Sequence, residues 1–327
     1  MNIAIIGAGS YGTALAQVLS RKHCVRLYND MEGVVDEINK KHTNRGFLGD
    51  IHLNPDITAS TDISTVGSNH VLIIAVPAQA VRDLCSQIRE LVPGSLPIVS
   101  CSKGIERTTG MFMSEIICQQ IKSPVFVLSG PSFAAEISRN MPTSVNLAGE
   151  DRYATEDLAE KLSTETFSLA PTENLIGIQA CGAFKNVLAI IIGIIRGLGL
   201  GNGAESVALT KGIQEISNFI RKVTGNSNIV QSLSGIGDIV MTCFSPTSRN
   251  YTLGVKIAKK EISLPLENSD LSGIPLSEGA LTIKSWPQVI NRFEKDCQIC
   301  ADMPLFGAVY SLLYETLSLS GFVSQAI

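Results

Sequence analysis

The sequence predicts an α/β protein: a mainly parallel sheet covered on both faces, followed by a second, mostly α-helical domain. Three observations carry this. Short apolar runs alternate with helical stretches up to about residue 172. Those runs are continuous rather than alternating, as strands buried on both faces require. From Asn174 onward, long helical patterns replace the strands. With 327 residues, 45% of them hydrophobic and 17% charged, the chain is long enough for two cores. The expected division is 1–172 and 173–327, with the active site in a cleft between the domains.

The first strand, Asn2-Ile3-Ala4-Ile5-Ile6, feeds Gly7-Ala8-Gly9-Ser10-Tyr11-Gly12. A helix over 13–21 follows, then a strand over 25–28 that ends at Asp30. A Gly-x-Gly-x-x-Gly turn between strand and helix, with an acid after the next strand, points to a Rossmann-type dinucleotide site rather than a glycine-rich turn without a ligand. Gly7 permits the tight turn, Gly9 lets a pyrophosphate approach the backbone, and Gly12 lets helix and strand pack closely. The helix N-terminus, entered through Ser10 and Tyr11, offers N–H groups and a positive dipole end. Asp30 is placed to accept hydrogen bonds from an adenosine ribose. Further strands are expected at 71–76, 97–101, 125–128, 143–148 and 167–170. Helices are expected at 175–197, 204–224, 254–260 and 304–317.

Composition excludes several classes. A net charge of −4 without a long basic run argues against a nucleic-acid partner. A strand beginning at residue 3 leaves no room for a signal peptide. The most apolar stretch, 187–200, contains Arg196 and three glycines and reads as a buried helix rather than an integral membrane segment. Eight cysteines without a framework pattern suit a reduced, cytoplasmic protein. Cys297-Gln298-Ile299-Cys300 is an isolated C-x-x-C, so no metal is expected.

A nicotinamide enzyme acting on an alcohol or carbonyl moves a proton as well as a hydride. The four histidines, His23, His42, His52 and His70, all precede the second domain and read as surface residues. Lys185, in Gly182-Ala183-Phe184-Lys185-Asn186, is the best acid/base candidate. Its uncharged surroundings would desolvate it and lower its pKa, unless it snorkels to solvent. Lys103 follows a strand at the ligand edge of the sheet, or is a loop lysine. Ser129-Gly130-Pro131-Ser132-Phe133-Ala134 presents N–H groups to a ligand, or is simply a turn. Asp238, after Gly235-Ile236-Gly237, either caps a helix or orients a lysine or a substrate hydroxyl. Ser248-Arg249-Asn250 suits a phosphate, or starts a helix. Ser277-Glu278-Gly279 is equally open.

In this order, the motifs resemble those of the bacterial-type NAD(P)-dependent glycerol-3-phosphate dehydrogenases. The likeness runs from Gly7 to about Val309. It rests on 7–16, Val76-Pro77, Ser102-Lys103-Gly104-Ile105, 128–136, 182–186, 235–238 with Thr242-Cys243, 248–250, Glu278-Gly279 and Met303-Pro304. It implies interconversion of dihydroxyacetone phosphate and sn-glycerol 3-phosphate, supplying the phospholipid glycerol backbone, and a homodimer. By that likeness Lys185 is the general acid/base, and Lys103 holds the substrate and polarises its carbonyl. Asp238 and Asn186 orient Lys185 and substrate oxygens. Ser248, Arg249 and Asn250 bind the phosphate. Gly130 and Ser132 match substrate-contacting positions; Ala134, Glu278, Lys103 and Arg249 match cofactor-contacting ones. The family often carries Trp at Tyr11, and Arg or His at Asp30. An acid at Asp30 would repel the 2′-phosphate of NADP, so NAD(H) is the expected cofactor, with NADP(H) left open by Arg26 and Arg45. Two other classes remain: a sister β-hydroxyacid dehydrogenase, and a non-catalytic nucleotide sensor lacking use for Lys103, Lys185 and Asp238 together.

Overall fold

The computed structural model describes residues 1–266, 277–297 and 299–327, without the side chains of 294–300. The Cys297–Cys300 motif therefore lies outside the described residues. The chain divides into two compact units. One comprises 1–102 and 113–175, the other 103–112 and 176–327.

The first unit is built on eight strands: β1 (Asn2–Ile6), β2 (Cys24–Tyr28), β3 (Thr58–Ser60), β4 (Val71–Ile74), β5 (Ile98–Ser100), β6 (Val125–Ser129), β7 (Thr143–Gly149) and β8 (Phe167–Thr172). They lie in the order β3-β2-β1-β4-β5-β6-β7-β8. Every pairing is parallel except β6 with β7. The order of the first six strands is that of a dinucleotide-binding Rossmann sheet, whose order reverses between β1 and β4. Ile6 pairs with Tyr28 of β2 and with Ile74 of β4. That register sets Gly7 beside the ends of both neighbours, with Gly7 N–H donating to Tyr28 O at 2.9 Å. Ala14, Leu15, Val18 and Leu19 of the helix Ser10–Leu19 share one core with Ile3, Ile5 and Leu27. Each of the valine, leucine and isoleucine side chains among them contributes roughly 1.5–3 kcal/mol by leaving water. The expected strands are present, and β3 is an addition. It pairs Ala59 with Leu27 at the sheet's edge, and three small or polar residues carry no apolar run to announce it.

The second unit is helical. Its central helix, Leu175–Gly197, is by length and composition able to cross a membrane, but its most apolar window is entirely buried within the protein. Around it lie Gly201–Thr224, Asp238–Cys243, Arg249–Ala258, Glu278–Lys284 and Pro304–Tyr314. Glycines set the close approaches. A Cβ on Gly193 would stand 2.2 Å from Tyr251 O, one on Gly254 2.1 Å from Ile190 O, and one on Gly279 2.4 Å from Asn186 O. Edge-to-face rings join Phe184 to Phe219 and Phe306, at 5.1 and 5.2 Å between centroids. The segment 103–112 belongs to this unit, although the sequence-based division put it with the first. Phe112 meets Phe219 edge-on at 6.4 Å, and Ser285 Oγ donates to Ile105 O at 3.4 Å.

Buried Glu215 closes the start of the helix Pro304–Tyr314, accepting from Leu305 N–H at 2.9 Å and Phe306 N–H at 3.2 Å. Burial pushes its carboxyl up to about 7, against those two bonds and Lys211. A raised carboxyl stabilises the fold fully below its unfolded value, near 4.5, and that contribution fades as pH rises through about 7. Glu215→Gln should erase this part of the pH dependence. Urea midpoints for the two proteins should converge on the acid side and separate, by on the order of 3 kcal/mol, as pH rises past 7. Parallel curves would refute it.

Candidate active site

Asp238 organises the second unit's polar cluster. It is fully buried at the start of the helix Asp238–Cys243. The chain enters that helix over Gly235, where a Cβ would stand 2.0 Å from Val230 O. Each carboxylate oxygen of Asp238 holds one lysine. Lys185 Nζ donates to Oδ1 at 2.5 Å, and Lys103 Nζ to Oδ2 at 2.9 Å. Lys185 comes from the middle of the buried central helix and does not snorkel: its side chain is 7% exposed. Its ammonium also donates to Thr242 Oγ1 at 2.9 Å. Thr242 stands four residues after Asp238, on the same helix face. The spacing is readable in the sequence, but by itself it assigns Thr242 no role.

The two lysines are tuned apart. Burial lowers Lys185 to about 8, with Asp238 opposing and Lys103 reinforcing the shift. Burial also penalises Lys103, but Asp238 and Glu278 outweigh it and hold its pKa above the ordinary value. Lys103 thus stays cationic at neutral pH, while Lys185 sits where it can give or take a proton. The carboxyl of Glu278 is pushed up by burial, against Lys103, Lys185 and Arg249.

A chain of amides borders the cluster. Asn186 Nδ2 donates to Glu278 Oε2 at 3.3 Å, and Asn250 Nδ2 donates to Asn186 Oδ1 at 3.0 Å. Asn250 Oδ1 accepts from Ser277 Oγ at 2.7 Å and from Gly279 N–H at 2.9 Å. Ser277 is another participant the sequence did not single out by role. Ser248 caps the helix Arg249–Ala258, its Oγ accepting from Tyr251 N–H at 3.3 Å. Arg249, the next residue, is exposed.

The first unit carries the other predicted residues. Gly7 has φ +108°, and a Cβ there would stand 2.6 Å from Ala75 O. A Cβ on Gly12 would stand 1.9 Å from Gly7 O, whereas one on Gly9 would meet nothing within 4 Å. Gly12 is thus required for packing, and Gly9 faces open space at a helix N-terminus, which fits a dinucleotide's pyrophosphate. Gly9→Ala should leave the urea midpoint within about 1 kcal/mol of wild type yet weaken NADH binding at least about tenfold. Unimpaired binding would sink this assignment. Gly12→Ala should instead cost about 1–3 kcal/mol of stability.

Ser10 Oγ donates to Phe47 O at 2.9 Å. The Tyr11 hydroxyl and Ser132 Oγ share a hydrogen bond at 3.1 Å, and Ser132 Oγ donates to Gly130 O at 2.9 Å. Gly130 has φ +155°, and a Cβ there would stand 2.8 Å from Val145 Cα. Ala134 begins the short helix Ala134–Ser138. Asp30 lines a cavity of about 310 Å³ together with Gly7, Tyr28 and Val76. The volume is at the small end of small-molecule sites.

Two family models match the chain. The N-terminal model of the NAD-dependent glycerol-3-phosphate dehydrogenases covers residues 2–155, and their C-terminal model covers 174–324. A glycerol-3-phosphate dehydrogenase [NAD(P)+] of Zymomonas mobilis is 34% identical over 95% of this chain and 88% of its own length. One from Brucella canis is 40% identical over 86% of this chain and 84% of its own. The crystal structure of glycerol-3-phosphate dehydrogenase from Coxiella burnetii superimposes with a TM-score of 0.87 at 30% identity, covering 99% of this chain and 98% of that one. The chain belongs to the NAD-dependent glycerol-3-phosphate dehydrogenase family.

Proposed function

We propose that this enzyme interconverts dihydroxyacetone phosphate and sn-glycerol 3-phosphate, with Lys185 as the general acid/base. The observation that carries the reading is one buried carboxylate, Asp238, gripping two lysines of divided pKa. When bound, the nicotinamide supplies hydride to C2 or takes it back. In reduction, the Lys185 ammonium donates its proton to the C2 oxygen and becomes an amine. In oxidation, the amine removes that proton. Lys103, which keeps its charge, polarises the carbonyl and offsets the developing alkoxide. Asp238 and Thr242 aim the Lys185 nitrogen, and Asn186 is held ready for substrate oxygens by Asn250 and Glu278. The substrate phosphate is met by Arg249 and the start of its helix, which Ser248 caps, and by the amide hydrogen that Asn250 does not give to Asn186. Gly130 and Ser132 meet the substrate; Gly7, Gly9, Ser10, Tyr11, Gly12, Ala134 and Glu278 meet the cofactor.

NADH oxidation that depends on dihydroxyacetone phosphate, with stoichiometric sn-glycerol 3-phosphate formed, tests the reading. Turnover only with another hydroxy or keto acid would move the enzyme to a sister β-hydroxyacid dehydrogenase activity. The further proposals are a cytoplasmic homodimer that feeds phospholipid synthesis.

Asp30, exposed two residues past the end of β2, underlies a proposed preference for NAD(H). Its carboxylate accepts from a free ribose and repels a 2′-phosphate. Asp30→Arg should move the NADPH-to-NADH ratio of kcat/KM upward by at least about tenfold, or ~1.4 kcal/mol. An unchanged ratio would remove Asp30 from cofactor choice.

A further inference from the structure

The cavity beside Gly7 and Asp30 contains a second carboxylate that the mechanism above leaves unused. Asp83 lines it, along with Ile63, Val76, Ala80, Leu84 and Gln87. Ala80, Asp83, Leu84 and Gln87 recur at the i, i+3, i+4, i+7 spacing of a single helix face. One stripe of the helix Val81–Ile88, begun at its N-cap Ala80, therefore borders the cavity. Gly7 marks the pyrophosphate end of this space and Asp30 the ribose. What lies beyond them is left for the base. Ile63, Val76 and Leu84 suit the faces of a flat ring, while Asp83 and Gln87 supply polar groups for its edge.

Those two polar groups differ in what they can read. The amide of Gln87 offers both a donor and an acceptor, so it tolerates either kind of edge. An ionised carboxylate only accepts. Among the described residues, no side-chain hydrogen bond or ion pair engages the carboxylate of Asp83 or of Asp30. Adenine presents an exocyclic amino donor where hypoxanthine presents a carbonyl acceptor. A carboxylate meeting the C6 substituent from its N7 side would gain a hydrogen bond from the first and meet electrostatic repulsion from the second.

We propose that Asp83 is a specificity-determining residue that selects an amino-purine dinucleotide by accepting a hydrogen bond from the base's exocyclic amino group. This rests on the reading that the adenosine half of a nicotinamide dinucleotide occupies this cavity. The test is direct binding, followed by nicotinamide fluorescence, of NADH and of reduced nicotinamide hypoxanthine dinucleotide. Wild type should prefer NADH by about 10–100-fold, the range of one charge-assisted hydrogen bond. Asp83→Ala should weaken NADH and bring the ratio of the two Kd values toward one. Asp83→Asn, whose amide can face either base, should also bring the ratio toward one while holding NADH more tightly than Asp83→Ala does. Asp83 is exposed, so unchanged melting temperatures should accompany both variants. Equal binding of the two dinucleotides by wild type, or undiminished discrimination in Asp83→Ala, overturns the proposal. Wild type that binds neither would instead remove the cofactor reading beneath it.

Discussion

Lys185→Met should lower kcat for dihydroxyacetone phosphate reduction by about 10²–10⁴-fold, the usual contribution of a positioned acid or base, with NADH affinity retained. Methionine keeps the length and apolar body of the side chain within the buried helix but cannot move a proton. The pH dependence of the wild type sharpens the test. Burial, opposed by Asp238, sets Lys185 near 8 in the free protein. Reduction uses the ammonium, so its kcat/KM should hold below that value and fall as pH rises through it. Oxidation uses the amine, so its kcat/KM should rise through the same region. The two limbs should mirror one another, and both should vanish from the residual activity of Lys185→Met. A variant with near-normal kcat, or limbs that persist in it, would take the acid/base role away from this residue.

Asp238→Asn should destabilise the protein by roughly 3–5 kcal/mol, the cost of leaving buried charge without its partner. The loss is large because one carboxylate serves two ammoniums, on side chains only 7% and 16% exposed. Its pH dependence has a definite sign. Without Asp238, both lysines become easier to deprotonate in the fold than in the unfolded chain. A lysine with a depressed folded pKa favours the fold most at high pH and penalises it as pH falls. The gap between variant and wild type, measured from urea midpoints, should therefore narrow from pH 7 toward pH 10. Activity should fall as well, since an unpaired Lys185 loses its proton earlier and is no longer aimed. A gap that stays constant with pH would show that the two lysines do not depend on this carboxylate for their charge.

Legibility in the sequence followed the range of the interactions involved. The glycine turn, the strands flanking it and the buried helix around Lys185 are local patterns, and periodicity reveals them. The edge strand Thr58–Ser60 exists because β2 offers it a partner, so its own residues say little. The same holds within the site. An uncharged neighbourhood marked Lys185 as a desolvated lysine, but not its attachment to Asp238, 53 residues away. Sequence could place Ser248 and Asn250 in a polar trio. It could also offer that trio as a helix start, which the three-residue cap from Ser248 bears out, but it could not show that Asn250 joins Asn186 to Ser277 and Gly279, because those bonds span 27 to 64 residues. The family resemblance implied that Asp238 orients Lys185, but it gave Asn250 a phosphate to bind and no link to Asn186.

The excursion of residues 103–112 into the helical unit bears on how the gene can be cut. The polypeptide passes between units after Ser102, after Phe112 and after Leu175. A fragment begun at residue 173 would lack Lys103, one of the two cations on Asp238, and Phe112, which packs on Phe219. Its counterpart ending at 172 would expose Ile105 and Phe112, buried in the whole protein, without the helices they pack on. Chimeras between related enzymes that swap only the C-terminal half inherit the same mismatch. A working exchange moves the ten-residue insert with the helices, so the transferable module is discontinuous in sequence.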